Sequence, residues 1–188
     1  MQPPPFPIPY SANPYASTAP DPAAQQIATR FRAFDRAGKG SIDAGDLCAA
    51  LSPNPSEPLP YVTARMLIRL FSTTGVITAE GFPSLCAFLD SVQATFQALD
   101  GDGCGALEPS AVTEHLAREL PDVGEAARQI LVRTFKRFGS RDVSAPDFLA
   151  LMAYVTLARK LFAGWDAEQT GVVAFDIENM LLAHLWFI

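Results

Sequence analysis

Asp100-Gly101-Asp102-Gly103-Cys104-Gly105-Ala106-Leu107-Glu108-Pro109-Ser110-Ala111 is the stretch on which the reading of the fold turns. Carboxylates stand at its first and third positions, a glycine at its sixth and an apolar Leu107 at its eighth. Gly105 marks a turn through positive φ, a conformation that costs glycine least. Asp100, Asp102, the Ala106 carbonyl and Glu108 bring oxygens around that turn, the ligand type that suits a hard cation. Two positions interrupt the pattern. Cys104 offers a soft sulfur, and Ala111 puts a methyl group where a bidentate carboxylate would complete the set.

Helical patterning flanks this loop on both sides. Upstream, Leu85, Phe88, Leu89, Val92, Phe96 and Leu99 follow three-and-four spacing behind Pro83, which is tolerated in a first helical turn. Downstream, 112–120 and 126–135 read as helices separated by Pro121 and Gly124. Four further loops of related pattern appear at 35–46, 72–81, 136–147 and 166–177. The first keeps Asp35 and Asp46 at its ends but has Ala37 at three and Lys39 at five, a cation where a ligand belongs. The second is short, without acidic residues at its first positions. The fourth has Lys136, Phe138 and Arg141 at one, three and six and is assigned no metal. The fifth keeps Asp166, Glu168, Thr170 and Gly171 but carries Ile177 at twelve.

The apolar residues that would bridge paired loops, Ile42, Ile77, Leu107, Val143 and Val173, are separated by 35, 30, 36 and 30 residues. An internal repeat of alternating length follows. Each short interval holds one unbroken helix of roughly 17 residues, about 26 Å, leaving one loop and entering the next. Each long interval is broken by proline. Five such units with two shared helices resemble the penta-EF-hand family, over about residue 24 to the last residue. The resemblance implies an all-α fold of five EF-hand helix-loop-helix units, with short β-bridges between paired loops and helices shared between hands two and three and between four and five. It implies that hands one and two pair, that three and four pair, and that the fifth pairs with the fifth hand of a second chain, in a homodimer or a heterodimer with another penta-EF-hand chain. It also implies calcium in some hands, usually including the first and third. Asp100, Asp102, Ala106 and Glu108 are then the conditional ligands of a weak site, while Asp35, Asp46, Asp166 and Glu168 belong to loops too depleted to hold an ion well.

Met180, Leu181, Leu182, Leu185, Trp186, Phe187 and Ile188 surround the terminal helix with apolar groups, more than one buried stripe requires. Met180, Leu181, Leu185, Trp186, Phe187 and Ile188 are the expected partner-binding residues. At the other end, 1–22 holds eight of the 16 prolines and a single charge. Proline denies this tail the backbone bonds of a helix, so it reads as extended, and Phe6, Ile8, Tyr10 and Tyr15 are suited to docking in an apolar groove of a protein partner or larger assembly. The expected organisation is this tail followed by one domain over 23–188.

A chain of 188 residues with 49% hydrophobic content can bury a sizeable core. Its net charge of −6 disfavours nucleic acid as a partner, since phosphates need a basic face. Cys48, Cys86 and Cys104 are odd in number and lack metal-ligand spacing, which points to an intracellular chain, cytoplasmic or attached to a cytoskeletal assembly, with Cys104 buried or inert. The most apolar helix meets Arg159 and Lys160 before it reaches membrane-spanning length, so no transmembrane segment is expected. His115 and His184 are isolated and no nucleophile motif or phosphate-binding loop occurs, so an enzyme is not expected. Two binding roles remain: an adaptor or structural subunit with degenerate loops, and alternatively a calcium sensor that exposes a groove for peptides or membranes.

Overall fold

The computed structural model describes residues 22–52, 59–185 and 187. The tail residues Phe6, Ile8, Tyr10 and Tyr15 lie outside them, as do Trp186 and Ile188. Hand one comprises α1 (Pro22–Phe34), β1 (Ser41–Ile42) and α2 (Ala44–Leu51); hand two comprises α3 (Tyr61–Phe71), β2 (Ile77–Thr78) and α4 (Phe82–Leu99). Helix α4 leads into β3 (Ala106–Leu107) and α5 (Pro109–Glu119). Hand four follows as α6 (Glu125–Phe135), β4 (Val143–Ser144) and α7 (Ala145–Trp165), and α8 (Ile177–His184) closes the fifth hand.

Both shared helices are present. α4 has 18 residues and α7 has 21, the latter longer than its apolar pattern indicates because Ser144 and Asp147 form a capping box that starts the helix at Ala145. Strands β1 and β2 pair antiparallel with Ile42 opposite Ile77, and β3 and β4 with Leu107 opposite Val143. All four of these side chains are buried, so each two-residue bridge is also the end of a core. Around the first bridge, Phe31 and Phe34 meet Phe82 edge-on at 5.2 and 5.3 Å, joined by Leu47, Leu67 and Leu85. Around the second, Phe96 packs on Phe148 at 5.7 Å beside Val112, Leu116 and Val132. Aromatic pairs in these orientations add about 0.5–1.5 kcal/mol beyond the area they bury.

Helix α7 serves both cores. Phe148, Leu151 and Val155 enter the second, while Ala153 and Leu157 enter the first. It is long and apolar enough to cross a membrane by length and composition, and service to two cores accounts for that apolarity. Arg159 and Lys160 also have a structural part. Lys160 Nζ donates to the Leu70 carbonyl at 2.6 Å, in the last turn of α3, and Arg159 Nη1 donates to the Glu119 carbonyl at 3.0 Å, the end of α5. Two adjacent cations thus satisfy orphan carbonyls of helices in the two different halves. At the other face, Arg30 grips Asp90 through bonds of 2.8 and 2.7 Å, tying α1 to α4.

Candidate functional site

Three loops are fastened the same way. In loop one the Asp35 carboxylate accepts the N–H groups of Lys39 at 2.8 Å and Gly40 at 2.7 Å. In loop three Asp100 accepts from Cys104 at 3.0 Å and Gly105 at 2.9 Å. In loop five Asp166 accepts from Thr170 and Gly171, both at 2.8 Å. In all three the first-position carboxylate closes the turn onto the fifth and sixth N–H groups. Loop four reverses the polarity: Lys136 Nζ donates to the carbonyls of Ser140 at 2.5 Å and Arg141 at 3.3 Å, again the fifth and sixth residues. Although Arg141 removes the glycine at six, the turn survives because Gly139 takes φ of 80° two residues earlier. Loop two closes with hydroxyls, Ser72 Oγ lying 3.0 Å from Thr74 Oγ1.

Asp100, Asp102 and Cys104 come together, each offering a ligand atom within 4.8 Å of the others. The rest of the expected set does not join them freely. The Cys104 Sγ lies 3.3 Å from the Ala106 carbonyl, so its one S–H proton is shared between that seventh-position oxygen and the Asp102 carboxylate beside it. Glu108 caps α5 in extended conformation, its Oε2 3.4 Å from Ser110 Oγ. The donor set therefore fits calcium in part: two carboxylates and a carbonyl gather at the loop, but no oxygen from position twelve closes it. Hydrogen bonds from the Cys104 thiol and backbone N–H hold the Asp102 carboxyl below the usual carboxylate range.

Of the two states expected for Cys104, buried or inert, the first is not found: the residue is exposed, because the flanking glycines supply no side chains to cover it. Hydrogen bonding to the neighbouring Asp102 carboxylate pushes its thiol pKa up, which disfavours the thiolate.

Loop one does not fit an external calcium ion. Asp43, at the ninth position and absent from the sequence-based ligand set, belongs to this loop. It and Asp46 form a reciprocal capping box at 2.9 and 3.0 Å that starts α2. Counting to nine from Asp35 would have found it. Both carboxylates also hold Lys39, whose Nζ lies 2.5 Å from Asp43 and 2.8 Å from Asp46. Lys39 is accordingly held in its charged form by Asp43 and then Asp46, and Lys39 in turn draws the Asp43 carboxyl below its usual range. Loop five has Asp166 held low by the Gly171 and Thr170 bonds, with Glu168 exposed and Ile177 at twelve.

The fifth hand differs in its surroundings. Residues 172–175 are in no strand, and Val172 is 75% exposed. On α8, Met180, Leu181 and Leu182, and Leu185 at its C-cap, are all about half exposed, between 52% and 58%. Phe187, expected among the partner-binding residues, packs instead on the chain's own core, its ring tilted against Tyr154 at 4.8 Å, with Phe135 on Tyr154 as well.

No family model matches the chain. Among curated proteins it is 27% identical over 166 residues to a probable calcium-binding protein, CML49, of Arabidopsis thaliana, spanning 86% of this chain and 49% of that protein. It is 27% identical over 162 residues to the calcium-binding protein CBP of Oryza sativa subsp. japonica, spanning 84% and 55%. The chain spans about half the length of these curated relatives. Among solved structures it resembles a homolog of programmed cell death 6 protein from Leishmania major Friedlin, at 29% identity and a TM-score of 0.64, over 88% of this chain and 95% of that one. The helix-loop-helix order, the bridges and this likeness together give the chain an EF-hand fold with calcium-binding proteins among its relatives.

Proposed function

We propose that the chain is a non-enzymatic penta-EF-hand adaptor or structural subunit, intracellular, that associates through its fifth hand and binds calcium weakly at loop three. The observation that carries this reading is the contrast at the bridges: two antiparallel bridges are complete, while the corresponding segment of hand five has an exposed Val172 and adjoins the half-exposed apolar face of α8. A matching fifth hand from a second chain supplies what that segment lacks, and an interface of this kind needs an apolar centre of the sort Met180, Leu181 and Leu185 offer. Homodimer and heterodimer are both open to it. Trp186 and Ile188 extend the same apolar sequence, and the Pro/aromatic tail, with Phe6, Ile8, Tyr10 and Tyr15, is the proposed anchor to a larger assembly.

Light scattering of the purified chain tests the association. A dimer with and without calcium is expected, and a monomer across the concentration range removes the proposal. For the metal, calorimetric titration is expected to give a dissociation constant of ~10⁻⁴ M or weaker at Asp100, Asp102, Ala106 and Glu108. Micromolar binding there favours the second reading, a calcium sensor, for which the gathered Asp100 and Asp102 carboxylates speak. Hydrophobic-dye fluorescence separates the two, since a sensor gains dye-binding surface with calcium and an adaptor does not.

A further inference from the structure

We propose that Lys39 is a built-in cation for loop one, taking the place of the divalent ion and closing hand one without calcium. The lysine stands at the fifth loop position, where an ion-binding loop has an oxygen ligand. Its side chain folds back so that the ammonium bonds the carboxylates of positions nine and twelve, at 2.5 Å to Asp43 and 2.8 Å to Asp46. Asp35, at position one, is already satisfied by the N–H groups of Lys39 and Gly40. The loop's three carboxylates therefore all have partners within the loop and the first turn of α2. One residue supplies both the missing charge and a backbone donor.

An incoming calcium ion meets three obstacles. It must displace an ammonium that is covalently tethered, and a short tether holds a competitor at an effective concentration on the order of millimolar. Position five then contributes repulsion instead of an oxygen, and position three, Ala37, contributes no side-chain oxygen at all. Asp46 is in addition engaged in starting α2, so recruiting it as a ligand disturbs the capping box. The remaining oxygens fall short of the six to eight that calcium takes.

Loop four supports the same principle by a different route. There the lysine is at position one, and its ammonium binds loop carbonyls, Ser140 at 2.5 Å and Arg141 at 3.3 Å, in place of carboxylates. Hands one and four belong to different pairs, and their lysines occupy different loop positions. Each pair thus contains one loop closed by an ammonium, which leaves its bridge, Ile42 to Ile77 or Leu107 to Val143, in place without regard to the ion supply.

The inference concerns loop one and does not depend on how the fifth hand associates, so light scattering and the following titration fail independently. The Gly40 amide, which donates to Asp35, reports on this loop alone in a ¹H–¹⁵N spectrum of the full chain. Titrating calcium chloride to about 5 mM, well into the range of the weakest EF-hand modules, is expected to leave the wild-type Gly40 signal in place. Lys39→Ser removes the ammonium and puts an oxygen at position five, and Lys39→Asp puts a carboxylate there. Both variants are expected to show a saturable Gly40 shift with calcium, and a melting temperature raised by calcium about 2–4 °C more than the wild type's, an excess that equal ionic strength of sodium chloride does not reproduce. A Gly40 shift in the wild-type chain over the same range overturns the proposal, and that result needs no variant to fold. So does the absence of any calcium response in both variants, for then more than the lysine keeps the ion out.

Discussion

The paired hands and the fifth hand have nearly the same loop and opposite surroundings. Asp35, Asp100 and Asp166 each bend the chain by accepting the N–H groups of the fifth and sixth loop residues. Beyond the turn, Ile42 and Leu107 pass into strands and are buried against Ile77 and Val143, whereas Val173, at the same eighth position, is in no strand and is only partly buried. Loop shape is therefore a local property, set by one carboxylate and two backbone donors. Burial is a property of the pair, and it is what turns a loop into part of a core.

The comparison can be broken most severely on its buried side. Leu107→Ala leaves a cavity at the centre of the second bridge and is expected to lower stability by about 2–5 kcal/mol in urea denaturation. Val173→Ala, at the same eighth position of the fifth hand and only partly buried, should cost less, about 1 kcal/mol, when measured below the dimerisation range. Equal costs at the two positions would mean that hand five is buried by its own chain.

A second change acts on the exposed side. Met180→Glu combined with Leu181→Glu puts two charges on the half-exposed face of α8 and is expected to weaken self-association by about 100-fold or more in light scattering, a loss of about 2.8 kcal/mol. The helical circular dichroism of the protomer should be unchanged. Retained association would place the interface elsewhere.

The smallest effect is a pH dependence that belongs to the second pair alone. His115 is buried on α5 against Phe148, its Nε2 without a hydrogen-bond partner among the described residues. Burial depresses its pKa, opposed by Glu119 and assisted by Arg118. A depressed histidine takes up its proton in the unfolded chain first, so its contribution to stability is complete above about pH 6.5 and is lost as pH falls toward the folded value. Stability measured from pH 7.5 down to 5 should decline less steeply in His115→Leu than in the parent, and parallel slopes would show that His115 protonates without cost.

Much of this was legible in order of residues because both governing signals are local. Apolar spacing within a helix showed α4 and α7 as unbroken, and the repeat of Ile42, Ile77, Leu107 and Val143 located both bridges. Val173 followed the same spacing but enters no strand, since pairing depends on a neighbour that spacing cannot supply. Lys39 was conspicuous as a misplaced cation. Its partner Asp43 was not, because a ninth-position aspartate that also caps a helix looks like an ordinary helix start. Cys104 and Phe187 show the same limit: whether a side chain at a loop tip or near a helix end is covered depends on distant residues, the open space around Gly103 and Gly105 in one case and Tyr154 in the other.

The clasp at Arg159 and Lys160 gives α7 a mechanical character. Its 21 residues span about 31 Å as one rod. The rod is pinned near its far end to α3 by one cation and to α5 by the next, a single turn before Trp165 delivers the chain into the fifth loop. The stretch of α7 that enters the fifth loop is thereby the same stretch that ties one helix of each half to the other.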